Sequence, residues 1–118
     1  MTTIMDMARD LGTHLARTDE YQALRRAMQA ANEDREITEL RNDLDKLEAT
    51  ITASLRAGSE PEDDEKSGYE AALSKLQTNA TYQRLVAAQT NFDKIVHKVN
   101  EQIGKGIEEG GSSRIILS

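Results

Sequence analysis

Large apolar residues recur every three or four positions over two long stretches of this chain, and this spacing restricts the fold more than any other feature. The two stretches comprise Ile37, Leu40, Leu44, Leu47, Ile51 and Leu55, and then Leu85, Ala88, Phe92, Ile95, Val99 and Ile103. Apolar residues at a spacing of about 3.5 line one side of an α-helix, and two such helices can bury these stripes against each other. The sequence therefore predicts two long coiled-coil-like helices whose apolar seams face one another.

The composition favours one thin helical domain. The 118 residues include one proline and are 37% hydrophobic, 3% aromatic and 31% charged. A chain of this length folds around a single core and buries roughly two-thirds of its unfolded surface. Strand-forming residues are scarce before the last few positions, so we expect an all-α fold. The predicted architecture is an antiparallel helical hairpin or bundle of about five helices.

Polar residues ahead of the apolar stripes predict where the helices begin. The candidate N-caps are Thr3, Thr18, Asp34 and Asn79. A side-chain oxygen at this position accepts a hydrogen bond from a first-turn amide, which otherwise has no partner in the helix. Gly58 predicts the end of a long helix over residues 35–57. In the same way, Gly104 and Gly106 predict that the last helix ends near Ile103.

The stretch between the two long seams is rich in acids and poor in large apolar residues. Its acids are Glu60, Glu62, Asp63, Asp64 and Glu65. Like charges repel one another and have little to bury, so residues 58–68 are predicted to form a solvated turn. Ser67 and Glu70 have the spacing of a capping box, which predicts that the fourth helix begins after the acidic run.

The C-terminal residues differ in character from the rest of the chain. Residues 1–106 are predicted to form the single domain, and residues 107–118 a flexible tail. Gly110 to Ser113 would be a spacer, because glycine and serine favour flexible chain. The short β-prone string after it is predicted either to dock on a partner's sheet edge or groove, or to be a frayed terminus. The residues for docking are Ile115, Ile116 and Leu117.

A short internal echo supports these boundaries. The segment 21–24, with the sequence Tyr-Gln-Ala-Leu, recurs at residues 82–85 as Tyr-Gln-Arg-Leu. Each copy begins three residues after a predicted cap, Thr18 or Asn79. The match is too short to indicate duplication, and a tyrosine that packs across a helical junction accounts for it.

Charge and cysteine content exclude several classes of function. The chain has 15 basic and 21 acidic residues and a net charge of -6, which disfavours direct binding of nucleic acid. It has no cysteine, so disulfides, thiolate metal sites and thiol catalysis are excluded. We find neither a signal peptide nor an apolar run of the roughly 18 residues that a membrane helix needs. We therefore expect a soluble, cytoplasmic protein without a small-molecule substrate.

The residues that could support catalysis or bind a metal do not form a recognisable constellation. The two histidines, His14 and His97, lie on different predicted helices. Asp93 and Glu101 flank His97 at helical spacing, but a surface histidine among solvated charges is the favoured interpretation. The segment 104–106, Gly-Lys-Gly, lacks the remaining glycine and the preceding strand of a phosphate loop. We expect no enzymatic activity, no metal and no cofactor.

The apolar stripes are wider than a contact between two helices needs. Most of each stripe is expected to form intramolecular core, and the remainder to be buried by oligomerisation or by a protein partner. The residues predicted to form this interface are Tyr21, Leu24, Met28, Tyr82, Val86 and Val96.

These features together resemble the YlbF/YmcA family of small bacterial helical regulators. The matching features are the helix start at residues 18–22, the acidic break at residues 32–34, and Asn79 before the last helix. They continue in the string Leu85, Ala88, Gln89, Phe92, Ile95, Val99, Asn100 and Ile103. The resemblance covers roughly residues 4–104, and its specificity comes from the order and spacing of the pieces.

The resemblance implies an all-helical fold and a non-catalytic role as a regulatory adaptor. The best-known members of the family work in complexes that regulate competence, sporulation, biofilm formation and messenger-RNA processing through an endoribonuclease. Some members hold iron-sulfur clusters through cysteines, and that cofactor does not carry over to a chain without cysteine. We therefore expect an adaptor that oligomerises and binds a protein partner.

Three other interpretations remain open at this point. A secreted helical hairpin of the small type-seven class has similar length, but it characteristically carries a tryptophan, which this chain lacks. A metal-dependent enzyme inside a helical bundle would need Glu-x-x-His pairs that are missing here. A chaperone-like coiled coil would bind clients through exposed tips.

Overall fold

Five helices follow one another in the computed structural model, which describes the backbone of residues 2–117 and the side chains of residues 2–111. They are α1 (Ile4–Ala16), α2 (Asp19–Glu33), α3 (Arg35–Arg56), α4 (Asp63–Thr78) and α5 (Ala80–Leu117). Residues 2–117 contain no strand. The prediction of an all-α hairpin of about five helices is confirmed.

The helices form two arms that lie side by side. One arm is α2 followed by α3, and the other is α4 followed by α5. Helix α3 packs along α4 next to the hairpin turn, and α2 packs along the first half of α5. Helix α1 precedes the first arm and contacts α2. The molecule is therefore elongated, with extents of 67 × 37 × 24 Å.

The two long seams do not face each other, which corrects the predicted pairing. The stripe of α3 packs on α4, and the stripe of α5 packs on α2. The reason is that each arm is divided by one non-helical residue, Asp34 in the first and Asn79 in the second. Each long helix consequently meets the shorter helix of the opposite arm. Two exposed seam residues, Leu55 at 62% and Ile103 at 49%, show that the seams extend beyond their internal partners.

The hydrophobic core lies where the two divisions meet. Its buried residues are Ala31, Ile37, Leu40, Ala72 and Leu76, with Leu44, Tyr82 and Leu85 packed against them. Ile37 is 0% exposed, and its amide lies in the first turn after the division at Asp34. The alanines allow the helices to approach closely around it. The core is small because thin helices share few fully enclosed positions.

Side-chain caps start α1 and α3 as the sequence predicts. The Thr3 hydroxyl accepts a hydrogen bond from the amide of Asp6 at 3.1 Å, and the Asp6 carboxylate accepts one from the amide of Thr3 at 3.2 Å. This reciprocal pair is a capping box. At α3, the Asp34 carboxylate accepts from the amide of Ile37 at 3.0 Å. Each cap satisfies a first-turn amide and fixes the residue at which the helix begins.

The two copies of the internal echo begin helices in the same way. The Thr18 hydroxyl accepts a hydrogen bond from the amide of Tyr21 at 3.1 Å. The Asn79 side-chain oxygen accepts one from the amide of Tyr82 at 2.9 Å. Both tyrosines therefore lie in the third position of a capped helix, where they are half-buried. The N-caps predicted at Thr3, Thr18, Asp34 and Asn79 are confirmed.

The glutamines of the echo tie each new helix to the end of the previous one. The Gln22 side-chain amide donates to the carbonyl of Ala16 at 2.8 Å. The Gln83 side-chain amide donates to the carbonyl of Gln77 at 3.1 Å. Carbonyls in the last turn of a helix have no partner within it, and these bonds satisfy one at each junction. The repeated Tyr-Gln pair is thus a device for joining two helices across a one- or two-residue break.

Gly58 ends α3 as predicted. Its φ of +79° is a left-handed conformation that strains residues with a side chain. The amide of Gly58 donates to the carbonyl of Leu55 at 3.1 Å, and the amide of Ser59 donates to the carbonyl of Ser54 at 2.9 Å. These two bonds define a Schellman motif, which reverses the chain at the start of the hairpin turn.

Helix α4 begins earlier than predicted, so the solvated turn is shorter than residues 58–68. Its first turn is made of Asp63, Asp64 and Glu65. Acids at a helix N-terminus are stabilised by the helix dipole and by unpaired amides, and this favours folding the acidic run into the helix. Ser67 and Glu70 lie inside α4, and the predicted capping box is wrong.

Helix α5 continues past its predicted end near Ile103, because the backbone of residues 107–117 is helical. The predicted end of the last helix is therefore wrong, whereas the flexibility predicted for residues 107–118 stays a prediction. Gly104 and Gly106 are helical because a glycine retains its amide and costs only about 1 kcal/mol inside a helix. Within the described residues, Gly58 is the one position with positive φ. The predicted docking residues Ile115, Ile116 and Leu117 have side chains outside the described part of the structure.

Alanine substitutions at two glycines should change stability in opposite directions. Gly58→Ala should lower the free energy of unfolding by about 1 kcal/mol, because alanine is strained at positive φ. Gly106→Ala should raise it by about 0.5–1 kcal/mol, because Gly106 is helical and a Cβ there meets nothing within 4 Å. Urea denaturation followed by circular dichroism at one fixed protein concentration measures both. Equal effects of the two substitutions would contradict the assigned conformations.

Truncation of the central core residue should be costly. Ile37→Ala should lower the free energy of unfolding by about 2–5 kcal/mol, because it leaves a cavity where the two arms meet. Leu55→Ala on the same helix is the matched control, since Leu55 is 62% exposed, and it should cost less than about 0.5 kcal/mol. Comparable losses for both variants in urea denaturation would place the core elsewhere.

Candidate protein-binding groove

An apolar groove opens on the surface where α2, α3 and α5 come together. It is lined by Met28, Asn32, Arg41, Tyr82, Leu85, Val86, Gln89 and Thr90, and encloses about 460 Å³. Two of the lining residues, Tyr82 and Leu85, also pack against the buried core, so the groove lies beside the core. A concave apolar surface with a few polar groups is the usual form of a binding site.

Local structure accounts for where each apolar side chain lies. Met28 is close to the end of α2 and is 39% exposed. Tyr82 is held in the first turn of α5 by the Asn79 cap. Val86 follows one turn later and is 47% exposed. The groove therefore presents large apolar side chains that the chain itself covers only in part.

Arg41 is the one charged residue among those that line the groove. It is half-buried and lies one turn after Ile37 on α3. Within the described side chains, no carboxylate oxygen lies within 4.0 Å of its guanidinium; the ion pairs found there join other residues. An arginine whose guanidinium has no carboxylate within this distance is an available donor for a negatively charged group.

Three of the six residues predicted for the interface meet in this groove: Met28, Tyr82 and Val86. Leu24 is only 4% exposed and lies inside the chain's own core, so it has no surface to offer a partner. Val96 is half-buried and lies ten positions beyond Val86 on α5, outside the groove. The interface role of these residues stays a prediction.

Tyr21 has an internal partner. Its ring packs on Phe92 with centroids 5.2 Å apart and an angle of 61° between the ring planes. This edge-to-face contact joins the start of α2 to α5. It agrees with the interpretation of the echo tyrosines as residues that pack across helical junctions.

The sequence does not single out the polar residues of the groove, which are Asn32, Arg41, Gln89 and Thr90. The spacing of Arg41 from Ile37 indicates that it lies beside the α3 seam. The sequence predicts that α3 packs on the other long helix, whereas α3 packs on α4. Whether Arg41 is covered or faces a groove could therefore not be predicted.

The residues around His97 form exposed polar contacts. His97 Nε2 lies 2.7 Å from Glu101 Oε1, and Asp93 accepts a hydrogen bond from the Gln89 side-chain amide at 2.9 Å. Among the residues that the structure describes, no three or more potential ligands converge as a metal site would require. Within residues 2–117, no helix combines the length and the apolar character needed to cross a membrane.

A family model described as "Control of competence regulator ComK, YlbF/YmcA" matches residues 4–108. The chain belongs to the YlbF/YmcA family. The match covers all of α1 to α4 and most of α5, which confirms the resemblance found in the sequence. The cysteine ligands of iron-sulfur clusters in some YlbF/YmcA members have no counterpart here, because the chain contains no cysteine.

Curated relatives of this YlbF/YmcA chain are UPF0342 proteins of comparable length. One from Lactobacillus acidophilus is 25% identical over 109 residues, which is 92% of this chain and 94% of the relative. Another from Staphylococcus saprophyticus is 24% identical over 106 residues, or 90% and 93% of the two chains. The similarity therefore extends over nearly the whole of each protein.

Two solved structures share the fold. Bacillus subtilis RicA, crystallised in complex with RicF, superposes with a TM-score of 0.80 at 17% identity, covering 90% of this chain and 94% of that chain. A DUF964 protein from Bacillus stearothermophilus superposes with a TM-score of 0.61 at 20% identity, covering 90% and 93%. At these identities the likeness establishes the helical fold alone.

The contact between Tyr21 and Phe92 should be measurable as a coupling free energy. In a double-mutant cycle with Tyr21→Leu and Phe92→Leu, the coupling should be about 0.5–1.5 kcal/mol, because the edge-to-face geometry is lost in either variant. Tyr82→Leu combined with Phe92→Leu is the control and should be additive within about 0.5 kcal/mol. Additivity in both cycles, measured by urea denaturation, would show that Tyr21 does not act through this contact.

Proposed function

We propose that this protein is a non-catalytic regulatory adaptor that self-associates and binds a protein partner through the groove at the junction of α2, α3 and α5. The observation that carries the proposal is the exposure of Met28 and Val86 beside Arg41 in one concave surface. The similarity to RicA, which was crystallised with RicF, supports a role in protein complexes.

The physical basis of binding is burial of apolar surface that the folded chain leaves exposed. Fully burying a large apolar side chain contributes about 1.5–3 kcal/mol, and Met28 and Val86, which are already partly covered, would contribute about half of that each. An enclosed charge pair fixes the orientation of the partner. Binding of this kind changes a partner's assembly or activity by occupancy, without any bond being made or broken. The rigid helices on both sides of the groove limit the loss of entropy on binding.

Membership of the family indicates in which kind of complex the partner of this chain should be sought. YlbF/YmcA proteins are described as controlling the competence regulator ComK, and the resemblance found in the sequence implies complexes of developmental regulation or RNA processing. We place the partner of this chain in such a complex. The support is membership of the family, and the partner itself is to be identified by experiment.

Affinity capture from native lysate tests the proposal. The tagged chain should retain a stoichiometric protein partner, and Val86→Glu should reduce that partner at least about tenfold, because a carboxylate in the apolar groove costs well over 1.4 kcal/mol. Ala87→Glu is the matched control: it is exposed on the same helix, lies outside the groove and should retain the partner. Quantitative mass spectrometry compares the samples, and circular dichroism checks that the variants are folded.

Two outcomes of the capture experiment would contradict the proposal. Equal retention by Val86→Glu and Ala87→Glu would exclude the groove, and the lack of any stoichiometric protein would exclude the adaptor role. A chain truncated after Gly111 tests the predicted docking tail in the same experiment. Undiminished capture by that truncated chain would exclude the tail as the binding element.

A further inference from the structure

Helix α1 precedes α2 in the same way as α4 precedes α5. Each ends just before a capped helix that begins with the internal echo, and each receives a hydrogen bond from the echo glutamine of that next helix. Helix α4 packs along α3, which continues the opposite arm. Helix α1 lies beside the outer part of α5, residues 95–117, which also continues the opposite arm, but its main contact is with α2. Of these two comparable helices, α4 is packed on the opposite arm and α1 is not.

Equivalent positions on α4 and α1 differ in burial. Leu76 and Ala72 lie six and ten residues before the echo tyrosine of α5, and they are 5% and 7% exposed. The residues at the same distances before the echo tyrosine of α2 are Leu15 and Leu11, which are only half-buried. Ile4 lies on the same face of α1 as Leu11 and is 79% exposed. The apolar face of α1 is therefore increasingly uncovered toward the N-terminus.

The register between α2 and α5 shows which part of α5 lies opposite this face. The two helices run antiparallel, and the ring contact joins Tyr21 to Phe92. Ten residues before Tyr21 and ten after Phe92 lie Leu11 and Gln102, which line one depression of about 440 Å³. The other residues around this depression are Ile95, Lys98, Val99 and Ile103. The register thus continues across the break between α1 and α2.

One turn further out, a large side chain on α1 lies opposite a glycine on α5. The register places Met7 opposite Gly106. Met7 is 58% exposed, and a Cβ at Gly106 would meet no described atom within 4 Å, so the two positions are not in contact. At the equivalent level of α4, a Cβ at Gly68 would lie 3.6 Å from Leu47 Cδ1 of α3. The packed pair therefore already joins a glycine to a large apolar side chain, and the open pair offers the same match with the helices exchanged.

The junction between α1 and α2 gives α1 more freedom of direction than α4 has. A single residue, Asn79, interrupts the helices in the second arm, whereas Arg17 and Thr18 both lie between α1 and α2. Each additional residue contributes two rotatable backbone angles. The bond from Gln22 to the last turn of α1 has its counterpart at the junction of α4, which is packed. A turn of α1 toward α5 therefore does not require the loss of this bond.

We propose that α1 is a hinged strap, which turns at its junction with α2 and closes on the outer part of α5 as α4 is closed on α3. In the closed state Ile4, Met7 and Leu11 pack over Gly106 and its apolar neighbours, and burial of these exposed side chains favours closure. Lys98 is the one charged residue around the depression, and its exposed side chain can keep its ammonium in water. Closure withdraws the apolar face of α1 from other chains. The inference concerns a single copy and does not depend on the adaptor role.

Disulfide trapping in the full chain tests closure, because the chain has no cysteine of its own. Met7→Cys with Gly106→Cys is the closing pair. Met7→Cys with Gly104→Cys is the matched control, since a Cβ at Gly104 also meets nothing within 4 Å but points about 200° away around α5. In a glutathione buffer at low protein concentration, the closing pair should form its intrachain disulfide at least about tenfold faster, because the bond needs Cα atoms within about 7 Å. In concentrated urea the two rates should be equal.

Two adjacent residues of α1 test whether the apolar face drives closure. In the closing pair, Ile4→Glu should slow disulfide formation at least about fivefold, because closure would bury a carboxylate. Met5→Glu is the control, since Met5 is 76% exposed but points about 100° away from Ile4 around the helix. It should change the rate less than about twofold. Circular dichroism checks that each variant retains its helices.

Three results would each overturn the inference. The first is an equal rate of trapping for the closing pair and the control pair under native conditions. The second is a disulfide that joins two chains in preference to one, as read by mass spectrometry and non-reducing electrophoresis, because α1 would then pack on a second copy. The third is an equal effect of Ile4→Glu and Met5→Glu.

Discussion

The packing of Ile37 at the junction of the four helices α2 to α5 is the interaction on which the rest of the structure depends. Both arms are interrupted, at Asp34 and at Asn79, and both interruptions lie at the buried cluster of Ala31, Ile37 and Leu76. An interrupted helix is stable only when neighbouring elements hold its two parts together. The junction therefore fixes the pairing of α3 with α4 and of α2 with α5. It also creates the groove, because helices that diverge from a shared core leave concave surface between them.

The excess negative charge of the chain is concentrated at the hairpin end of the molecule. Residues 43–70, which form most of α3, the turn and the start of α4, carry nine acidic and three basic residues. The remaining positions carry twelve of each, so the net charge of -6 belongs to the hairpin end of the molecule. Charge of one sign keeps this end solvated and opposes association there. The apolar contacts with other chains in the proposed function are therefore expected away from this end, at the groove and at the exposed apolar residues of α1 and α5.

Interactions between residues close together in the chain could be predicted from the sequence. Where a residue type suits two structural roles, the sequence could not show which role it has. The caps at Thr3, Thr18, Asp34 and Asn79 were predictable because an N-cap is formed within four consecutive residues. A glycine in the sequence does not show whether a helix ends there. Gly58 has a positive φ and ends α3, whereas Gly104 and Gly106 have helical backbone and lie within α5. The acids at the start of α4 were ambiguous in the same sense, since they suit both a solvated turn and a helix N-terminus. At the groove, Met28, Tyr82 and Val86 could be selected as surplus apolar residues, whereas Arg41 required knowledge of which face α4 covers.

The sequence by itself determined that the chain is helical, where four of the five helices begin, and to which family it belongs. Each of these follows from residues close together in the chain or from their order along it. Only the tertiary structure decided which helices are neighbours and which apolar residues remain exposed. The physical reason is that an apolar stripe determines which side of a helix is buried but not which other helix packs on that side. Both arms are interrupted at the same point along the molecule. The packing of α2, α3, α4 and α5 around Ile37 therefore decides which helix covers each apolar stripe.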